Sequence, residues 1–236
     1  MPASINNGLV MYLPFNGNTQ DESGYGNHAI NTNATLTTDR NNNQGKAYLF
    51  NGVNAFMRVP NSASLNPDRI TMMAIVKVNG FYQGKCHGNT ILNKGNASAN
   101  PPSSIRLGFV DEMANGFNCN STVVDSLKQM FTADFAFNGT VDIPLKGPFI
   151  EKNKWYCITY TYDGAIAKLY IDGVVTSSRN GSGTFIPAAD DLFIGKDNNS
   201  PLFPYWLNGA IDELRIYNRA LNQDEVKALC SNCNDK

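Results

Sequence analysis

The chain of 236 residues has little net charge, few histidines and no long apolar segment. Charged residues make up 17% and the formal net charge is -1, so the basic surface that nucleic acid or an anionic membrane requires is missing. No stretch approaches the roughly 20 apolar residues of a membrane-spanning helix. With only His28 and His87, a catalytic triad or zinc site has little support. We expect no nucleic-acid partner and no membrane insertion.

Short β-type runs separated by turn residues dominate the sequence. The turn pairs Asp163-Gly164 and Asp172-Gly173 offer the positive φ angles of tight hairpins, so 154–178 is predicted to be a three-stranded antiparallel meander. The pattern predicts an all-β fold, a two-sheet antiparallel β-sandwich of jelly-roll type. The predicted strands lie at 9–15, 47–50, 55–59, 70–78, 155–162, 166–171 and 191–195.

One helix is predicted, near the C-terminus at 223–230. Asn222 can cap it and Glu225 can complete a capping box, while Leu221 can pack on Val226. Residues 80–126 show the weakest strand pattern, which is typical of functional loops or a variable insertion at the surface. We expect a single domain over 1–236.

Asp212 lies in the apolar phase of a predicted strand. Because strands alternate with period two, Asp212 shares a face with Leu214 and Ile216, and the neighbouring Glu213 faces the other way. A carboxylate toward the core costs several kcal/mol unless it is paired, hydrogen-bonded or bound to a cation. Hydrogen bonds to loop amides and a metal ion both remain open at this point.

Five cysteines in a chain rich in Asn, Gly, Ser and Thr suggest an extracytoplasmic location (secreted, periplasmic or cell-surface). The start, MPASINNGLV, lacks the regions of an export signal. Because the composition suggests export, we expect the full precursor to carry such a signal. Cys86 with Cys119 and Cys230 with Cys233 are the expected disulfides, which leaves Cys157 as a buried thiol. Other pairings remain open.

Four motifs carry a resemblance to a known family: GLVMYLPFNGNTQDESGYGNHA, AYLFNGVNAFMRVP, KWYCITYTYDGAIAKLYIDGVV and LNGAIDELRIYNRALNQDEV. In order and spacing, from about residue 8 to 229, they resemble the laminin-G-like (pentraxin-type) branch of the concanavalin A-like lectin/glucanase superfamily. The resemblance implies the concanavalin A-like jelly roll. It does not imply one function, because this fold hosts lectins, hydrolases and adhesion modules.

The resemblance also implies a structural calcium ion between the first loop and the last long strand. Asn16, Asp21, Ser23 and Asp212 are the expected ligands, because calcium prefers hard oxygen donors. Where the family often has an aspartate this chain has Asn16, which removes one negative charge. An ordinary surface loop of Asx turns is the alternative.

Related glucanases carry carboxylates spaced as E-x-D-x-x-E, since retaining hydrolysis needs two of them about 5 Å apart. In this chain the acidic pairs are adjacent, as in Asp212-Glu213 and Asp224-Glu225. We therefore expect no catalytic residues and no enzyme activity.

Aromatic and amide side chains in one loop suggest a carbohydrate-binding surface, because aromatic faces stack on sugars and amides hydrogen-bond to them. Residues 196–206, KDNNSPLFPYW, form that loop, and Tyr205 is expected to be its most exposed aromatic residue. Packing of Trp206 at the edge of the core is the alternative. The predicted ligand-binding residues are Tyr82, Asp197, Asn198, Asn199, Tyr205 and Trp206.

The sequence thus favours a non-catalytic, lectin-like module that binds a polysaccharide or glycoconjugate glycan, with calcium in a structural role. A surface adhesion module that binds protein is the second hypothesis, and it would require an exposed apolar patch. A glycoside hydrolase is the third.

Overall fold

The computed structural model describes residues 3–82, 88–96, 103–111, 128–135, 145–181, 183, 187–197 and 204–231. These residues form two antiparallel sheets, two short 3-10 helices (Ala3–Asn6 and Ala63–Leu65) and one α-helix, α1 (Gln223–Cys230). The strands are β1 Leu9–Leu13, β2 Ile30–Thr32, β3 Thr35–Thr37, β4 Ala47–Asn51, β5 Phe56–Val59, β6 Ile70–Gly80, β7 Gly88–Asn96, β8 Ser103–Asp111, β9 Gln129–Phe135, β10 Leu145–Phe149, β11 Trp155–Tyr162, β12 Ile166–Ile171, β13 Val174–Asn180, β14 Leu192–Ile194 and β15 Asn208–Tyr217.

The two sheets pack face to face around one core. The first sheet has the order β13-β12-β11-β6-β15-β4-β3, with β1 also paired to β15. The second has the order β10-β9-β8-β7-β14-β5-β2. Their facing sides bury one large apolar cluster, which takes alternate residues of each strand, such as Met72, Ala74 and Val76 of β6. The predicted all-β, two-sheet antiparallel sandwich is confirmed.

A second, smaller cluster covers the outer face of the first sheet. Met73 and Ile75 of β6 point outward there and pack with Val226 and Leu229 of α1. The first 3-10 helix adds Ile5 to the same cluster. The N- and C-terminal elements of the described chain therefore lie together on the face of the first sheet that is turned away from the second.

Helix α1 begins as the sequence predicts. The Asn222 side chain accepts the backbone N–H groups of Asp224 and Glu225, and the Glu225 carboxylate accepts the Asn222 N–H, which completes the capping box. The helix spans 223–230, and the meander of β11, β12 and β13 also lies where it is predicted.

The cysteine pairing differs from the prediction. Cys157 on β11 is bonded to Cys230 at the end of α1, with 5.6 Å between their Cα atoms. Cys157 therefore is not a free thiol, and Cys230 does not pair with Cys233. The pairing follows from packing, because Cys157 faces outward from the first sheet into the cluster that α1 covers. Cys86, Cys119 and Cys233 lie outside the described residues.

The described residues between 80 and 126 are more regular than predicted. They contain the long strands β7 and β8, which pair with each other near the middle of the second sheet. Polar side chains on both strands, among them Asn93, Lys94 and Arg106, are buried and hide the strand pattern in the sequence. No described helix is both long and apolar enough to cross a membrane.

Candidate functional site

Asp212 lies at a bulge in β15. Ile211 is opposite Val76 of β6, whereas Glu213 is opposite Ile75, so Asp212 is the extra residue between them. The bulge resets the alternation, because Ile211 and Leu214 both point into the main core. Asp212 is therefore not in the core-facing phase that strict alternation predicts.

The bulge coincides with a change of neighbouring strand. On one side, β15 pairs with β4 up to Ile211 and with β1 from Leu214 onward. The intervening Asp212 and Glu213 both contact Arg40, which follows β3 in the chain. The two carboxylates thus share one partner, and the expectation that they point to opposite faces is wrong.

Arg40 is the centre of a buried ionic network. Its backbone N–H and its Nη1 donate to Asp212 Oδ2 at 3.2 and 2.9 Å, and its Nη2 lies 3.4 Å from Glu213 Oε2. Glu213 also accepts Arg215 Nε, and the Arg215 guanidinium lies 3.8 Å from the centre of the Tyr12 ring. Burial raises the pKa of Asp212 to about 6, even though Arg40 favours the charged carboxylate.

The carboxylate of Asp21, a predicted calcium ligand, accepts hydrogen bonds from its own loop and from β1. Its Oδ1 accepts the N–H groups of Tyr12 and Ser23 at 2.8 and 2.9 Å. Its Oδ2 accepts the Ser23 hydroxyl and the Asn27 N–H, both at 2.8 Å. The Asp21 N–H in turn donates to His28 Nδ1, which gives that histidine a structural contact. The loop is thus held together by hydrogen bonds around one carboxylate.

These contacts do not fit a calcium ion. Asp212 Oδ2 is bound to the Arg40 guanidinium, so a calcium ion at this carboxylate would lie beside a positive charge. Asn16, the remaining predicted ligand, is exposed. Within the described ranges no group of three or more His, Cys, Asp and Glu side chains is arranged to hold a metal. Calcium at this place stays a prediction that the geometry does not support.

A row of five side chains, four of them polar, crosses the outer face of the second sheet. Strand register places Arg58, Phe193, Asn93, Arg106 and Asp134 side by side on β5, β14, β7, β8 and β9. Their chain neighbours, such as Met57 and Ile194, point into the core, so this row points away from it.

Two members of the row form a buried ion pair. Arg106 Nε and Nη2 donate to Asp134 Oδ2 at 2.9 and 2.5 Å. Asn93, beside Arg106, is fully buried, and neither atom of its amide has a hydrogen-bond partner among the described residues. Burial of an amide without partners is unfavourable, so this position has unused hydrogen-bonding capacity.

Backbone hydrogen bonds close the base of the 196–206 loop, which lies beside this row. Leu207 N–H donates to Gly195 O at 2.9 Å, and Asp197 N–H donates to Pro204 O at 2.8 Å. Residues 198–203, which include the predicted ligands Asn198 and Asn199, lie outside the described residues. The base of the loop places Lys196 and Asp197 near Tyr205 and Trp206.

Tyr205 is buried, against the expectation that it is the most exposed aromatic residue of the loop. Its exposed fraction is 5%, and a Cβ at Gly88 of β7 would lie 3.1 Å from its ring, so the ring packs on the strand itself. Its φ of +47° is rare for a residue with a large side chain. Burial, supported by the charge of Asp197, raises the pKa of Tyr205 to about 12, while Arg106 opposes the shift.

Tyr82 lies next to Tyr205. The two rings meet edge to face with 6.3 Å between their centres. Asn89 Oδ1 accepts the Tyr82 N–H at 2.7 Å, and the Asn89 amide donates to Gln129 at 2.6 Å. The structure therefore brings Tyr82 together with Asp197 and Tyr205, which the sequence placed in the 196–206 loop. We call these three residues, with Arg106, the Tyr205 cluster.

Trp206 belongs to a second group on the same loop. Its ring centre lies 6.0 Å from that of Phe56, which lies 6.2 Å from that of Phe193. Lys196 Nζ is 4.8, 4.7 and 5.8 Å from the ring centres of Phe56, Phe193 and Trp206, respectively. We call these four residues the Lys196 cluster. Phe56, Phe193 and Arg106 were missed in the sequence, because they come from strands far from the loop.

Comparison with family models gives one match. The laminin G model of the concanavalin A-like lectin/glucanases superfamily matches residues 51–227, which is 177 of 236 residues. The resemblance inferred from the four motifs is confirmed over this range. The first motif, residues 8–29, precedes it. Comparison with curated proteins gives no match.

Several solved structures share the fold. The binding domain of Paraclostridial Mosquitocidal Protein 1 is 17% identical with a TM-score of 0.68, over 96% of this chain and 52% of that one. A structure of botulinum neurotoxin type C, whose cell entry depends on interaction with two ganglioside molecules, is 15% identical with a TM-score of 0.69 over 100% and 53%. This chain thus spans about half the length of both.

A third similar structure is matched over nearly its whole length. Domain 4 of AbnA, a GH43 extracellular arabinanase from Geobacillus stearothermophilus, was solved in complex with arabinotriose. It is 22% identical to this chain with a TM-score of 0.60, over 94% of this chain and 98% of that domain. At these identities the similarities show a common fold.

Proposed function

The chain belongs to the concanavalin A-like lectin/glucanases superfamily, and we propose that it is a non-catalytic carbohydrate-binding module that works outside the cytoplasm. The observation that carries the proposal is the meeting of the Tyr205 cluster and the Lys196 cluster at the base of one loop. Aromatic rings and polar groups lie side by side there, as sugar recognition requires.

The accessible aromatic rings supply the stacking surface. Tyr82, Phe56 and Trp206 are each partly exposed, whereas Tyr205 and Phe193 are buried beneath and beside them. The buried rings fix the positions of the accessible ones through the edge-to-face and tilted contacts described above. A sugar ring would therefore meet a preformed surface, which reduces the entropy lost on binding.

Five carboxylates of the described residues are unsuited to hydrolysis, because arginine side chains hold them in ion pairs. A retaining or inverting hydrolase needs two carboxyl groups that are free to act on one glycosidic bond. In this chain arginine side chains engage five carboxylates of the described residues, which leaves them bound in ion pairs. These carboxylates are Asp134, Asp191, Asp212, Glu213 and Glu225.

The Cys157–Cys230 disulfide supports a location outside the cytoplasm, because such bonds persist in oxidising compartments. Two structures with this fold, the arabinanase domain with arabinotriose and the ganglioside-dependent neurotoxin, come from proteins that interact with carbohydrate. They support the ligand class and leave the particular glycan open.

Affinity electrophoresis against a panel of plant, algal and host polysaccharides tests the proposal. We expect retardation by at least one glycan, and Trp206→Ala or Tyr82→Ala should weaken it by about two- to tenfold, because a stacked ring contributes roughly 0.5–1.5 kcal/mol. Each variant should unfold at a thermal midpoint close to that of the wild type, which shows that the loss of binding is not caused by misfolding.

Tyr25→Ala is the matched control. Tyr25 is a highly exposed tyrosine in the loop after β1, so its removal should leave retardation unchanged. Equal losses in Tyr25→Ala and Tyr82→Ala would count against the proposed surface. Failure of every glycan to retard the wild type would refute carbohydrate binding and favour the adhesion module that binds protein.

A further inference from the structure

We infer that the Lys196 cluster binds the carboxylate of an acidic sugar, a uronic or sialic acid, while the adjacent rings pack on the sugar itself. This inference rests on the proposed carbohydrate-binding function and specifies its ligand class.

Lys196 is held by three aromatic rings. Its ammonium lies within 6 Å of the centres of Phe56, Phe193 and Trp206, a range in which the ring faces attract a cation. Three rings around one ammonium fix the position of the positive charge. Because a lysine stem is otherwise flexible, this packing reduces the entropy that a ligand must remove on binding.

The ammonium has no polar partner among the described residues. It makes neither a hydrogen bond nor an ion pair with them, although an ammonium carries three N–H donors. Aromatic rings satisfy its charge in part but accept no conventional hydrogen bond. Burial lowers the pKa of Lys196, which the charge of Asp197 partly offsets, and this shift reflects the loss of water around the ammonium.

Lys94 shows how the same fold treats a lysine with a structural role. It is fully buried, and its Nζ donates to Asn61 Oδ1, Ala188 O and Asp190 O at 2.8, 2.7 and 2.5 Å. All three of its donors are therefore used. Lys196 lies on the same sheet with its donors unused, and it is partly exposed, so an external acceptor can reach it.

A carboxylate is the acceptor that fits best. It neutralises the charge and accepts hydrogen bonds that are about twice as strong as neutral ones. A sugar bearing a carboxylate would also present C–H groups to Trp206 and Phe56, which flank the ammonium. The fully buried Asn93 amide, next to Phe193 in the row, adds unused hydrogen-bonding capacity beneath this surface.

The test compares acidic ligands with neutral counterparts of the same skeleton. Titration calorimetry would use polygalacturonate and sialyllactose, each against its own carboxyl-reduced form. We expect at least one acidic ligand to bind about tenfold more tightly than its neutral counterpart. The pair that shows this difference identifies the source of the carboxylate, a uronic acid or a sialic acid.

Three variants locate the effect. Lys196→Met keeps the aliphatic stem among the rings and should abolish the preference for the acidic ligand, while Lys196→Arg should retain most of it. Lys77→Met is the control, because Lys77 Nζ lies 5.0 Å from the Trp155 ring centre on the other sheet, and it should change nothing.

The outcomes separate the two levels of the proposal. Equal binding of acidic and neutral ligands, or an acidic preference that persists in Lys196→Met, overturns the role of Lys196 and leaves carbohydrate binding intact. Absence of binding by every acidic and neutral glycan overturns both the carbohydrate-binding function and this inference.

Discussion

At the scale of single residues, Arg40 joins two chain segments that lie 172 positions apart. It reaches the two residues of β15, Asp212 and Glu213, that fall between the neighbouring strands β4 and β1. One guanidinium thus satisfies two buried carboxylates where the lateral strand pairing is interrupted. Arg40 thus supplies the positive charge that pairs with the buried Asp212 carboxylate.

Arg40→Met should destabilise the protein by about 3 kcal/mol, because its removal leaves the buried Asp212 carboxylate without a counter-charge, whereas Glu213 keeps Arg215. The side chains of Arg40 and Asp212 are only 15% and 10% exposed, so water cannot replace the lost contact. Urea denaturation followed by intrinsic fluorescence measures the change in the free energy of unfolding.

Arg58→Met provides the comparison. Arg58 pairs with Asp191, but their side chains are 40% and 28% exposed, so we expect a loss below about 1 kcal/mol. Equal destabilisation by the two substitutions would show that the buried Arg40 network contributes no more to stability than the more exposed Arg58–Asp191 pair.

The sequence indicates that the Asp212 carboxylate needs a partner, but it does not identify that partner as Arg40. Strict alternation counts every residue of β15, and a bulge shifts the count by one without any signal in LNGAIDELRIY. The partner Arg40 lies far away in the chain and follows a three-residue strand that the sequence does not predict. Long-range ion pairs of this kind become visible only when the sheet order is known.

At the scale of secondary-structure elements, α1 is fixed to the first sheet by packing and by a covalent bond. Val226 and Leu229 pack against the outer face, and the disulfide closes a loop between Cys157 and Cys230, separated by 73 positions. Both contributions act on one short helix, which would be marginal in isolation.

Replacement of Cys157 and Cys230 by alanine should lower stability by about 2–4 kcal/mol, because the unfolded chain regains the freedom that a long closed loop removes. Thermal unfolding of wild type and variant, with and without reductant, measures the effect. In reductant the two proteins should unfold at similar temperatures.

Peptide mapping without reduction gives an independent check of the pairing. The peptide containing Cys157 should be recovered linked to the peptide containing Cys230. Recovery of Cys157 as a free thiol would contradict the structure and restore the pairing expected from sequence.

Elements with local signals were predicted well, and elements stabilised by distant contacts were not. The meander is encoded by its own turns, and α1 by the cap at Asn222, so both are predictable from a few adjacent residues. Strands β7 and β8 bury Asn93 and Arg106 in contacts across the sheet, and these polar residues conceal strands that lie near its centre. The cysteine pairing depends on where α1 docks, which local sequence does not specify.

At the scale of the whole molecule, the carboxylates at the predicted calcium position have partners within the protein itself. Arg40 takes the positive charge to Asp212, and the loop after β1 is organised around Asp21 by N–H and O–H donors. Both oxygens of Asp21 and one oxygen of Asp212, which the family resemblance assigned to calcium, therefore already bind protein donors.

Calcium should leave the stability of the folded protein unchanged. We expect the thermal midpoint of unfolding to differ by less than about 1 °C between buffers with calcium and with EDTA, because a ligand stabilises only in proportion to its binding to the native state. A rise of several degrees in calcium would show that a cation does bind and that the original prediction is right.

The candidate site was predictable only in part. The composition of residues 196–206 indicated a binding loop, and Asp197, Tyr205 and Trp206 do lie at its base. Tyr205 turned inward because its backbone adopts a left-handed conformation and Gly88 leaves room for its ring. The clusters are completed by residues of β5, β8 and β14, which only the order of the second sheet brings beside the loop.

The placement of α1 and the first 3-10 helix has a practical consequence for experiments on this molecule. Both lie on the outer face of the first sheet, and the candidate site lies on the outer face of the second. A biotin or fluorophore attached at an exposed position of α1, such as Lys227, would therefore mark the side remote from the candidate site. Captured on a sensor through that residue, the protein would present the candidate site to solution.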